Sequence, residues 1–227
     1  MVSIELLVQQ VINGLLFGGQ RALMAVGLTL IWGVARVLNF SHGAMFMVGG
    51  FVGFFTLGAT GNIVVAVVSA ALVVFVLGYL TEVALIRPLR DREEFGIPSM
   101  VVTLGLAFFL ENAVIVWIGS QRESFPRFTD VVWNVSGINL SAQRALIFVI
   151  SLVALGLLFY VIARTKLGLG IRAVSQDSDT ALLMGVRPNR IYALTFGISA
   201  ALAGLAGVLL APLFAVYPSV GWYPFLL

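Results

Sequence analysis

The chain has 227 residues, 60% of them hydrophobic and only 10% charged, with a mean hydropathy of +1.07. A water-soluble domain carries about 25% charged residues, so this composition excludes an ordinary soluble enzyme, a disordered tail and a nucleic-acid-binding module. The balance of 13 Lys and Arg against 10 Asp and Glu is too even for a phosphate-binding surface, and the lack of Cys excludes disulfides and thiolate metal sites.

Taken from the N-terminus, MVSIELLVQQ carries Glu5 and no Lys or Arg ahead of its apolar run, which argues against a cleaved signal peptide. A membrane helix needs about 20 mostly apolar residues, and about seven stretches approach that length. They run roughly over Ser3–Gly19, Ala22–Leu38, Phe40–Ala59, Asn62–Ile86, Ile97–Ile118, Arg144–Ala163 and Ile191–Phe214. Gly and polar residues interrupt the first three, so one of these can be a broken or re-entrant helix. The fold expected is all-α, a polytopic transmembrane bundle, and the linkers are too short for a separate globular domain. With Arg164–Arg190 placed in the cytoplasm, parity puts the N-terminus inside as well. The inside then holds Arg36, Arg87, Arg90, Arg92, Arg164, Lys166, Arg172, Arg187 and Arg190, and the outside Arg21, Arg122, Arg127 and Arg144. That bias agrees with the positive-inside rule. In the outer loop, Val131–Leu140 has β-prone residues around Ser-Gly and predicts a small hairpin.

Lipid offers no hydrophobic drive between helices, so they associate through small residues at helical spacing. Gly14 and Gly18, Gly49 and Gly53, and the stripe Ser199, Ala203, Gly207, Ala211 have that spacing. They fit packing inside the bundle or contact with a second membrane subunit.

Polar groups at membrane depth need a reason. Glu5, Gln9 and Asn13 share one helical face, which fits a wet path or a helix that starts at the interface. The run Arg36-Val-Leu-Asn39-Phe40-Ser41-His42-Gly43 lies between apolar stretches. It reads either as a broken element of a transport path or as a short turn in which Ser41 or Asn39 caps the next helix. Glu82 sits near the inner end of its span, within reach of Arg87. Glu111 and Asn112 sit well inside the fifth span, as structural hydrogen-bonders or as lining groups.

The inner loop, Arg164–Arg190, predicts a short helix that Ser175 or Asp177 caps and Gly185 ends. Asp177, Ala181 and Gly185 give it a slim face, expected outward, and Asn189 can cap the last span. Such a helix fits a partner's groove or an ordinary connector. The sequence holds no G-x-x-x-x-G-K-[ST] phosphate loop, no H-E-x-x-H and no G-x-S-x-G.

Two separated motifs carry a resemblance. Gly27-Leu-Thr-Leu-Ile-Trp-Gly33, with Val37-Leu-Asn-Phe-Ser-His-Gly43 and Met47-Val-Gly49-Gly50, resembles the branched-chain amino-acid ABC transporter permeases of the LivH type. Gly168-Leu-Gly170-Ile-Arg172-Ala173, then Asp177, Ala181 and Leu182-Leu-Met-Gly185-Val, is similar to that family's cytoplasmic coupling segment. The resemblance covers nearly the whole chain, in order. It implies an inner-membrane permease domain over residues 1–227, with coupling loop 164–190, that moves branched-chain or other apolar amino acids by alternating access.

The implied partners are a second permease, two cytoplasmic ATPases that carry the ATP, and a periplasmic or lipid-anchored binding protein. This chain itself would bind no cofactor and catalyse nothing. Arg172, Ala173, Asp177, Ala181 and Gly185 become candidates for ATPase coupling. Asn39, Phe40, Ser41, His42, Gly43 and Glu111 become candidates for the path or its gate, and Gly49, Gly53, Ala203 and Gly207 for helix packing. Urea and short-amide permeases share the motifs, and an ion-coupled carrier or channel is the competing class. Relatives of this type run several dozen residues further, so a fragment or a variant truncated at the C-terminus is expected.

Overall fold

The computed structural model describes residues 4–90, 95–135 and 138–222. Helices α1 (Ile4–Ala35), α2 (His42–Thr60) and α3 (Ile63–Thr81) come first. A π-helical segment (Glu82–Ile86) then joins α3 to the short α4 (Arg87–Arg90). After α5 (Gly96–Trp117), strands β1 (Val132–Val135) and β2 (Ile138–Ser141) pair antiparallel, Trp133 opposite Leu140. Helix α6 (Ala142–Arg164) leads to two short helices, α7 (Lys166–Gln176) and α8 (Ser178–Leu183). The chain then runs through α9 (Pro188–Phe214) into a 3₁₀ turn, Pro218–Trp222.

Local chemistry sets the ends. Gly61, at φ 65°, stops α2, and the Asn62 side chain accepts from Val64 N at 2.9 Å to start α3. Among the described residues six helices are long and apolar enough to cross a membrane. The polytopic all-α bundle read from the sequence therefore stands.

Helix α9 is the central member and packs on α1, α2 and α3. Small residues permit the approach. A Cβ on Gly49 would run into the backbone of Gly204, one on Gly53 into Val208, and one on Gly207 into the Phe46 carbonyl, while Ala203 is fully buried. Helices α5 and α6 lie outside and leave Phe109, Val116, Leu152 and Phe159 exposed. Lipid is as apolar as those side chains, so such a face is at home in a bilayer.

Four expectations need correction. First, Ser3–Gly19 and Ala22–Leu38 are not two spans but the single helix α1, 32 residues and about 48 Å long. No turn forms at Gly18-Gly19-Gln20-Arg21, because α6 supports the helix there. The Arg144 guanidinium sits over the Phe17 ring, and Gln20 Nε2 donates to the Arg144 carbonyl at 3.5 Å. Second, one span fewer changes the parity: with the loop 164–190 in the cytoplasm, as the positive-inside bias places it, the N-terminus falls on the opposite, outer side. Gln9 accepts from Asn139 N and donates to Asn139 O, both at 2.8 Å, on the hairpin opposite the inner loop. Arg21 stays level with Arg144, so the inner excess of basic residues is unchanged. Glu5 and Arg92 have side chains outside the described residues.

Third, the slim face of α8 is not outward throughout: Asp177 and Gly185 are exposed, but Ala181 between them points inward. Ala181 is buried among Ile171, Val174 and Ile191, and Leu182, Leu183 and Met184 are outward as well. Fourth, Asn189 does not cap the last span, because Arg187 holds the cap position and Pro188 the first turn of α9.

Candidate functional site

Residues 36–41 break the helix at depth. Arg36, at φ 55°, ends α1, and the chain then runs back without helical bonds to His42. The level can be read from neighbours. Gly27 and His42 pack against Ser199, whose Oγ donates to the Gly27 carbonyl at 2.5 Å. Ser199 is about three turns into α9. Helix α2 therefore starts about three turns above the inner end of α9, well inside the bundle.

Backbone left unpaired at that depth is tolerated only where protein or water satisfies it. Asn39 Oδ1 accepts from Ser41 N at 3.1 Å and Ser41 Oγ at 2.6 Å. Thr103 of α5 adds a brace: its Oγ1 accepts from Phe40 N at 3.2 Å, and its hydroxyl lies 3.0 Å from the Met100 carbonyl of its own helix and 3.3 Å from the Leu38 carbonyl. Asn39, Ser41 and His42 are buried, while among the described residues Asn39 Nδ2 and both His42 ring nitrogens lack a hydrogen-bond partner. A polar interior with spare donors and acceptors suits an element that changes its partners. Ser41 occupies the helix-cap position but makes no capping bond.

The end of the described chain reaches the same level from the other side. Ala215, at φ 64°, turns the chain back after α9, and Val216 pairs with Glu123 (2.8 and 2.9 Å). The 3₁₀ turn then descends until Gly221 abuts the Gly43 carbonyl. There Trp222 Nε1 donates to Glu111 Oε2 at 2.9 Å, and its ring lies 5.7 Å from that of Phe108. Phe40, Gly43, Ala44, Ala107, Glu111 and Trp222 line one crevice. Above it an outer cavity of about 220 Å³ is lined by Glu111, Ser120, Arg122 and Tyr217. Glu111 borders both.

Of the residues singled out in the sequence, Phe40, Gly43 and Glu111 thus meet at this junction. Asn39 and Ser41 brace it from behind, and His42 faces Gly27 instead. Asn112 bonds only its own helix, at the Phe108 carbonyl. Thr103, Gly221 and Trp222 were not singled out. A lone hydroxyl inside an apolar span and the turn-rich Tyr217–Trp222 are the signals that point to them.

On the inner face, Asp177 caps α8 by accepting from Asp179 N (2.9 Å), Thr180 N (3.1 Å) and Thr180 Oγ1 (2.7 Å). The Thr180 hydroxyl is the largest cause that holds the Asp177 carboxyl below its usual range, followed by the Thr180 and Asp179 amides. Gly185, at φ 86°, takes the left-handed stop. Leu183 is 87% and Met184 82% exposed. Arg172 turns back to the Ile162 carbonyl, and Ala173 is half-buried against the inner cluster. Nearby, buried Glu82 takes Arg90 at 3.0 Å and Arg87 at 3.3 Å, and Arg87 also reaches the Asn189 carbonyl. Arg90 lies 3.6 Å over the Tyr192 ring of α9.

Comparison with known proteins agrees with this architecture. The family described as "branched-chain amino acid transport system / permease component" matches residues 10–226. The high-affinity branched-chain amino acid transport system permease protein BraD of Pseudomonas aeruginosa is 34% identical, over 94% of this chain and 74% of its own length. LivH of Escherichia coli, with the same description, is 31% identical over the same shares. The probable branched-chain amino acid transport permease protein LivH of Methanocaldococcus jannaschii is 27% identical, over 92% of this chain and 68% of its own length. No solved structure matches the chain with significance. A match over nearly the whole length, on six apolar helices, settles the class: the chain belongs to the branched-chain amino acid transport system permease family and is a multi-pass, non-enzymatic transport component of the inner membrane.

Proposed function

We propose that this chain carries branched-chain or similar apolar amino acids across the inner membrane by alternating access, past Glu111 and the Asn39–Gly43 break. Cytoplasmic ATPases would drive it, with a second permease subunit and an external binding protein completing the transporter. The observation that carries the reading is the apolar tip Leu182–Met184, held out from the inner face on a segment locked to α9. An exposed Leu-Leu-Met on a capped helix is costly in water and fits the groove of a soluble partner. Through Ala181, Val186 and Ile191 a pull on that tip reaches the central helix, against which the break packs.

A partner moves an equilibrium only by binding one state better than the other. ATP-driven closure of two ATPases, each seated on such a tip, supplies that difference. The engagement of Glu82 by two guanidinium groups argues against its use as an ion-coupling carboxylate.

Leu183→Glu tests the reading. The side chain is exposed, so the bundle is expected to fold unchanged. Reconstituted with the partner subunits, the variant should lose substrate-stimulated ATP hydrolysis and uptake, with an unchanged melting temperature. Unchanged uptake would overturn the coupling role.

A further inference from the structure

We propose that Glu111 is the seat for the ammonium group of the transported solute, and that Trp222 is a displaceable donor that closes this seat while no solute is there. The proposal rests on the reading above, that the path runs past Glu111.

Four observations carry it. A carboxylate inside a membrane helix is expensive and is normally paired, yet among the described residues no Lys or Arg forms an ion pair with Glu111. Its partner is a neutral indole N–H at 2.9 Å. Second, Glu111 borders both the outer cavity and the crevice at the break, so a solute moving from one to the other meets it. Third, the Trp222 and Phe108 rings, 5.7 Å apart, stand beside the carboxylate. Aromatic faces next to a carboxylate favour a cation.

Fourth, the closure is built to release. The turn Pro218–Trp222 meets the break through Gly221 and meets Glu111 through one indole N–H. An ammonium adds the attraction of a full opposite charge to the hydrogen bond, which a neutral indole N–H does not supply. An arriving ammonium therefore replaces the indole at a gain, and the turn is freed as the seat fills. A neutral amide brings no such gain, so the seat selects amino acids over urea and short amides.

The test uses the chain assembled with its ATPases, partner permease and binding protein in proteoliposomes, and reads leucine uptake and leucine moved per ATP hydrolysed. Glu111→Gln keeps an acceptor for Trp222 and removes only the charge. Trp222→Phe keeps the ring and removes the donor. Glu111→Gln should lower the ratio about tenfold or more, the difference between a charged and a neutral hydrogen bond. Trp222→Phe removes the donor that competes with the ammonium, so it should reach half-maximal uptake at about threefold less leucine than the unaltered complex. Glu111→Gln at the unaltered ratio, or Trp222→Phe falling as far as Glu111→Gln, overturns the proposal, since the bond would then be irrelevant or merely structural. If the unaltered complex moves urea or short amides and no leucine, the functional reading fails instead, and the two failures are distinguishable.

Discussion

Asp177 shows how one side chain sets the shape of the inner face. Its carboxylate takes three donors from Asp179 and Thr180, and those bonds are why α8 starts where it does. Because they favour the ionised form, the carboxyl sits below its usual range in the folded chain. A depressed folded value stabilises the fold above the ordinary carboxylate range and loses that contribution as pH falls through the folded value. The cap is therefore complete at neutral pH and weakens as pH falls below the ordinary carboxylate range. Asp177→Asn, which retains a capping oxygen, should keep amide-exchange protection at Thr180 at pH 7. Asp177→Ala should lose it. Equal protection in both variants would show that the cap does not hold α8.

At the scale of elements, the inner end of α3 departs from regular helix at Glu82–Ile86. A π turn inserts one extra residue per turn and is often found at functional places. Here it brings Arg87 and Arg90 to the same carboxylate while Arg90 covers Tyr192. Glu82 has no exposed side-chain area, and removing one partner of a buried pair leaves the other charge uncompensated. Glu82→Ala should destabilise the chain near the low end of ~3–5 kcal/mol, since Arg87 keeps 37% exposure. A thermal-unfolding midpoint in detergent lower than that of Glu82→Gln would bear this out. Equal midpoints would show that the cluster is not structural.

The same scale shows what the sequence could and could not reveal. Apolar length located the later spans, because lipid demands it locally, and the Ser-Gly hairpin followed from β-prone neighbours. The fused α1 was not legible, because the break implied between Gly19 and Ala22 is bridged by contacts of Phe17 and Gln20 with Arg144, far away in sequence. The inward turn of Ala181 on α8 was missed for a related reason. Small spacing says a face is slim, and only the packing of Ala181 against Ile171 and Ile191 says which way it points. The break at Asn39–Gly43 was visible as a polar run, but its depth depends on Ser199 and Thr103, on two other helices.

For the whole molecule, these parts line up along the membrane normal. An outer cavity leads to Glu111, the break starts α2 well inside the bundle, and α9 links that level to the apolar tip on the inner face. On the proposed reading the energy enters at the inner face, through the partner ATPases. The most direct measurement is leucine uptake by proteoliposomes holding the assembled transporter, with all ion gradients collapsed by ionophores. Uptake that requires ATP on the ATPase side and persists without any ion gradient is the predicted result. Uptake that survives removal of ATP, or that stops when only the ion gradient is removed, would contradict the account.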